Sequence, residues 1–134
     1  MLCSVVILKW NGSKVMRRFL PSVLQHTTLQ DTEVVVVDNG STDDSMAYLQ
    51  SLSGTPEALS AHLRIIAYTE NYGFAAGYNR AIASIDSEIV VLLNSDVCVT
   101  SGWLSPVLDY MQQHPDVGAA QPKILAYNSL LAHR

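Results

Sequence analysis

Four polar clusters each follow an apolar, largely β-branched run in this 134-residue sequence: Lys9-Trp10-Asn11, Asp38-Asn39, Glu70-Asn71 and Asn94-Ser95-Asp96. Carboxylates take hard cations, carboxamides both donate and accept hydrogen bonds, and an indole offers a stacking face. Turns use the same residue types for local reasons, so a single cluster says little. Two carboxylates, several amides and an aromatic gathered on one edge say more. The spacing also excludes chemistry: neither GxxxxGK[ST] nor GxGxxG lies between the first apolar run and the next element, against a P-loop nucleotidase and a dinucleotide dehydrogenase. A bound diphosphate would then need its charge met by a divalent cation, held by Asp96 and by the diphosphate itself.

The elements that must position these clusters are legible from periodicity. Cys3 to Leu8 is a continuous apolar run ended by Asn11-Gly12, the pattern of a strand buried on both faces. Val15, Met16, Phe19, Leu20, Val23 and Leu24 then form one helical stripe, with Pro21 inside it expected to bend the helix. Glu33 to Val37 predicts a second strand, and Ser41-Thr42-Asp43-Asp44 has the form of a capping box opening a second helix. Gly54 to Ala61 reads as a loop and Leu63 to Thr69 as a third strand. A Gly-containing turn at 71–73 leads into a small-residue helix through Ala75, Ala76, Ala81 and Ala83. Glu88 to Leu93 is the fourth strand, Leu104, Val107, Leu108 and Met111 mark a last helix, and Val117 to Leu125 reads as a further extended segment. Strand and helix alternate, which predicts an α/β fold: an open, mostly parallel, Rossmann-like sheet with helices on both faces. Ligands of such sheets bind outside the carboxyl ends of the strands, where all four clusters fall.

Composition fits one globular unit, residues 1–134. Hydrophobic residues make up 49% and charged residues 15%, and no apolar run reaches the roughly 20 residues of a membrane span. The net charge of −4, with no basic run longer than Arg17-Arg18, argues against nucleic acid as a partner. Cys3 and Cys98 lie in apolar runs without metal-ligand spacing and read as reduced core thiols. The amino terminus has no basic n-region or cleavage site, so the first run is read as a buried strand and the expected location is the cytoplasm, with the inner face of the membrane as an alternative.

The stretches SVVILKWNG, EVVVVDNGSTDDS, NYGFAAGYNRAI and VVLLNSDV, in this order, resemble the nucleotide-sugar-binding half of the family 2 glycosyltransferases, the inverting GT-A type. The third stretch is similar to the rhamnosyltransferase-like branch of cell-surface polysaccharide synthesis. The resemblance implies transfer of a sugar from a nucleotide-diphosphate sugar to a hydroxyl on a saccharide or lipid-linked acceptor. It implies that Trp10 lies beside the nucleobase and that Asp38, with Asn39, contacts the uracil or ribose. Asn71, Gly73 and Asn79 fall in the segment closing over the nucleotide, with Gly77 also allowing close approach. Asn94-Ser95-Asp96 stands at the DXD position, where Asp96 would hold Mn2+ or Mg2+ on the diphosphate and Asn94 replaces the first carboxylate.

Family members usually continue for about another hundred residues, so the resemblance implies a donor-binding part, with the acceptor site and the catalytic general base beyond Arg134. Self-association is expected through apolar surface on the sheet edge and on the helix from Trp103 to Met111. A nucleotidyltransferase is the alternative enzyme, although Lys9 to Lys14 is a poor version of its Gly-rich basic loop. A non-catalytic interaction domain of transferase ancestry is the alternative without chemistry.

Overall fold

The computed structural model describes residues 1–127. Four strands, β1 (Cys3–Lys9), β2 (Thr32–Asp38), β3 (Leu63–Ala67) and β4 (Ile89–Leu92), form one sheet in the order β3-β2-β1-β4, every neighbouring pair parallel. Parallel neighbours need crossovers, and the intervening segments supply them: α1 (Ser13–His26), α2 (Ser45–Leu52), α3 (Pro56–Ser60) and α4 (Phe74–Ala83), with α5 (Ser105–Gln113) after the last strand. The expected open parallel α/β sheet is the fold observed.

The central strands are apolar on both faces because both faces are covered. Cys3, Val5, Ile7, Val34 and Val36 pack with Met16, Leu20, Val23 and Leu24 of α1, Leu49 of α2, Leu104 at the N-cap of α5 and Leu108 within it. Val6, Val35 and Val37 face the other way, onto Tyr78 and Ala81 of α4. Residues of one strand thus alternate between two cores, as the pleat requires. The edge strands are only partly buried, and Leu92, in register with Val6, is 57% exposed.

Several boundaries differ from expectation. The predicted loop at 54–61 contains α3, whose start is set by Thr55: its hydroxyl accepts from the Ala58 amide and Pro56 occupies the first turn. No strand forms within Val117 to Leu125, which lies beyond the sheet. Helix α1 continues through Pro21 to His26. Of the apolar residues from Trp103 to Met111, Leu104 and Leu108 are buried against the sheet, whereas Trp103, Val107 and Met111 are partly buried and Tyr110 is 50% exposed.

The capping box is also replaced. Helix α2 starts at Ser45; its N-cap Asp44 makes no side-chain capping bond, and Asp43 Oδ1, one residue earlier, accepts from the Ser45 amide at 2.9 Å and from the Ser45 hydroxyl. Oδ2 of the same carboxylate accepts from the Ser13 amide of α1 at 3.2 Å. One acid therefore satisfies orphan donors at two helix N-termini, where negative charge is favourable.

Candidate functional site

All four polar clusters lie at the carboxyl ends of the strands. Asp38 is the register partner of Lys9, both residues closing their strands. Their side chains face the α1 side of the sheet and are shut away from solvent, 2% and 1% exposed, with Lys9 Nζ 3.7 Å from Asp38 Oδ1. Neither of these two atoms has a hydrogen-bond partner. Burial pushes the Lys9 ammonium below its ordinary value, while the charges of Asp38, Asp43 and Asp44 pull it back up. The second oxygen of Asp38 accepts from the Ser41 amide at 3.0 Å.

Trp10, between the buried Lys9 and Asn11, is 54% exposed. Asn11 takes a left-handed conformation, φ 52°, which a short carboxamide tolerates. Its amide donates to Ser41 Oγ at 2.8 Å, and its side-chain oxygen accepts from the Thr42 amide at 2.8 Å and the Asp43 amide at 3.3 Å. The loops after β1 and β2 are thereby sewn together next to Trp10 in the chain.

Asn39 is 3% exposed and does its work inside the protein. Its Nδ2 donates to Asn71 Oδ1 and to the Gly73 carbonyl, both at 3.1 Å, and its Oδ1 accepts from the Tyr72 amide at 3.0 Å. Asn71 Oδ1 also accepts from the Gly73 amide at 2.7 Å. The segment 71–73 is thus clasped to the end of β2, with Asn71 and Gly73 themselves at the surface. Gly40, at φ 76°, makes the approach feasible: a Cβ there would stand 2.5 Å from the Glu70 carbonyl carbon. In α4, a Cβ at Gly77 would meet Leu8 Cδ2 at 2.9 Å and Asn39 Nδ2 at 3.1 Å.

Asn79 is exposed on α4, and Phe74 at the start of that helix is 70% exposed. Asn94 and Asp96 are exposed in the turn after β4, with Ser95 half-buried between them. No hydrogen bond or ion pair among the described residues engages Asp96. Nor do the described residues contain a group of three or more His, Cys, Asp or Glu able to hold a metal. A cation at Asp96 would accordingly take most of its ligands from phosphate oxygens and water, an arrangement that suits Mn2+ or Mg2+ on a diphosphate. Two concavities of about 190 and 160 Å³ lie away from these strand ends, lined by residues such as Leu2, Thr32 and Leu108 in one and His26 and Ser101 in the other.

Every cluster lies on the expected edge; Lys9 and Asn11, expected there only as members of the first cluster, have internal partners, and Tyr78 is a residue that the sequence did not single out. Tyr78 is 4% exposed and its hydroxyl donates to the Leu93 carbonyl at 3.2 Å, tying α4 to the end of β4. The signal for Lys9 was a charged residue directly continuing a fully apolar run. Asp38 and Asn39, expected at the nucleotide, are both buried, with Asp38 Oδ2 on the Ser41 amide and Asn39 on the segment 71–73.

An open parallel sheet with amides, an exposed indole and, among the described residues, an unpartnered carboxylate at its strand ends has the layout of α/β domains that take ligands at that edge. Residues 4–130 match the family model described as Glycosyl transferase family 2, and the chain belongs to that family. Similar proteins include the succinoglycan biosynthesis protein ExoU of Rhizobium meliloti, 32% identical over 107 residues, 80% of this chain and 29% of that protein. An uncharacterized glycosyltransferase of Nostoc sp. is 30% identical over 118 residues, 88% of this chain and 35% of that protein. Among solved structures, the mannosyltransferase PcManGT from Pyrobaculum calidifontis, in complex with GDP-Man and Mn2+, matches with TM-score 0.66 and 26% identity over 75% of this chain and 29% of that one. S. aureus TarS in complex with UDP matches with TM-score 0.73 and 21% identity over 92% of this chain and 38% of that one, a likeness of fold. The fold is therefore GT-A-like. This chain spans between 14% and 35% of the length of the curated relatives it matches. None of the relatives named here is described as a rhamnosyltransferase. Among the described residues, no helix is long and apolar enough to cross a membrane.

Proposed function

We propose that this chain is the donor-binding domain of a glycosyltransferase that moves a sugar from a nucleotide-diphosphate sugar to a hydroxyl of a saccharide or lipid-linked acceptor, in cell-surface polysaccharide synthesis. The observation that carries this reading is the layout of the strand ends. An exposed indole follows β1, a clasped amide loop follows β3, and an unengaged carboxylate follows β4. In it, Trp10 stacks on the nucleobase, Asn71, Gly73 and Asn79 border the nucleotide, and Asn94 with Asp96 meets the diphosphate. Asp96 holds Mn2+ or Mg2+, which when bound supplies positive charge to the departing diphosphate. Asn39 and Asp38 serve the nucleotide from behind, by fixing the loops that touch it. The mannosyltransferase with GDP-Man and Mn2+ supports the donor class and the cation, and the succinoglycan protein supports the polysaccharide setting.

The acceptor's proton needs a general base, and in this reading neither Asp43 nor Asp44 supplies it. Asp43 is held below the usual carboxylate range by the Ser45 hydroxyl, and Asp44 by Ser13 and Arg17, which makes both poor bases. Binding without transfer is therefore expected of this chain alone. Its open β4 edge, with Leu92 exposed, favours self-association. Calorimetry with UDP and GDP, with and without Mn2+, should show metal-dependent binding, and turnover of UDP-, GDP- and dTDP-linked sugars with hydroxyl acceptors should be absent. Preference for nucleoside triphosphates would favour nucleotidyl transfer, and binding of neither would leave an interaction domain.

A further inference from the structure

A lysine and an aspartate sealed inside the end of a parallel sheet, with Nζ and Oδ1 unspent at 3.7 Å, are costly where they stand. Apolar side chains fill the preceding positions on the same face, Ile7 before Lys9 and Val36 before Asp38, so the two charges depart from the pattern of that core. What distinguishes the pair is where its remaining contacts lead. Asp38 Oδ2 holds the Ser41 amide, Ser41 Oγ holds the Asn11 amide, and Asn11 Oδ1 holds the amides of Thr42 and Asp43. The Lys9 carbonyl accepts from the Asn39 amide at 2.8 Å, closing the circuit on the backbone side. Trp10 is the one residue between the two anchored positions, Lys9 and Asn11.

We propose that Lys9 and Asp38 are a positioning pair: the ammonium fixes the carboxylate, the carboxylate fixes Ser41, and Ser41 with Asn11 fixes the backbone that presents the Trp10 indole. The pair acts on ligand binding through the indole, without touching the ligand. This rests on the donor-binding reading, in which the indole meets the nucleobase. It also explains why an acid at the end of β2 can serve a nucleotide while 2% exposed. Preorganising the indole lowers the ordering cost of binding. The phosphate and metal end, at Asp96, lies outside the circuit.

The test uses the full chain with Trp103→Phe, which leaves Trp10 as the sole tryptophan. Lys9→Met with Asp38→Asn removes both charges together, so no buried charge is left alone and stability should be kept or raised. In that variant, and in Ser41→Ala, Trp10 fluorescence anisotropy should fall and acrylamide quenching should rise. Affinity for UDP or GDP with Mn2+ should drop about tenfold, the loss expected when a preorganised contact must be ordered on binding. Affinity for inorganic pyrophosphate with Mn2+ should not change. Folded variants with unchanged anisotropy overturn the proposal, as does equal weakening of pyrophosphate binding. If the parent protein binds no nucleoside diphosphate, the donor-binding reading fails by itself, and the anisotropy of the variants still decides whether the pair positions the indole.

Discussion

Asn39 at the end of β2 donates a side-chain hydrogen bond to Asn71 Oδ1 at 3.1 Å, across 32 positions of sequence, and its oxygen simultaneously takes the Tyr72 amide. One buried carboxamide therefore determines the conformation of the loop between β3 and α4. Asn39→Asp removes both N–H donors and sets a carboxylate against the Asn71 and Gly73 oxygens. It should cost about 1–3 kcal/mol, the range for stranding buried hydrogen-bond partners, read by chemical denaturation. Amide exchange at Tyr72 should accelerate more than exchange in β2.

Gly40 combines a positive φ with a close approach. Gly40→Ala must place its Cβ 2.5 Å from the Glu70 carbonyl carbon, which is backbone and cannot rotate away. A left-handed non-glycine residue and overpacking each cost about 1–3 kcal/mol, so a loss of about 2 kcal/mol or more is expected in thermal or chemical unfolding. Gly12→Ala is the control, with φ 70° but nothing within 4 Å of the added carbon, and should be milder.

Asp96 is exposed and engages no described residue, so its removal should leave the fold alone. Asp96→Ala should abolish the Mn2+ dependence of nucleoside diphosphate binding while shifting the unfolding midpoint little. Calorimetry with and without Mn2+ measures the first effect and thermal denaturation the second. Retained Mn2+ dependence in the folded variant would remove Asp96 from the metal.

The loop latch should weaken in acid. Asp43 and Asp44 have folded-state pKa values below their ordinary 3.8, Asp43 chiefly through the Ser45 hydroxyl and Asp44 chiefly through Ser13. The folded state therefore binds these protons less tightly than the unfolded chain. Their stabilisation is complete above the unfolded value and is lost as pH falls through the folded values. NMR titration of the side-chain carboxyls should find both midpoints depressed, and Ser45→Ala should move that of Asp43 upward.

The two cysteines should differ in reactivity. Burial raises the Cys3 thiol to about 11, and the residue is fully enclosed, whereas Cys98 is only half-buried. The thiolate is the reactive form. Iodoacetamide near neutral pH should label Cys98 first, with Cys3 labelled only on unfolding, as peptide mass analysis would show.

Sequence by itself determined the alternation of strands and helices and the edge on which the polar clusters gather. Those features come from local periodicity: Val34 to Val37 is apolar at every position because the strand is covered on both faces, and Asp38-Asn39-Gly40 ends it for reasons of turn chemistry. Only the tertiary structure decided what the individual polar side chains do. Asp43 accepts from the first amide of two helices, Asn39 clasps a loop 32 residues away, and Lys9 lies in the sheet against Asp38. Each of those partnerships joins segments separated by 29 residues or more, or selects between adjacent hydroxyl and carboxylate groups of similar capping ability. Local propensity carries no information about such choices; strand register and the packing of neighbouring loops make them.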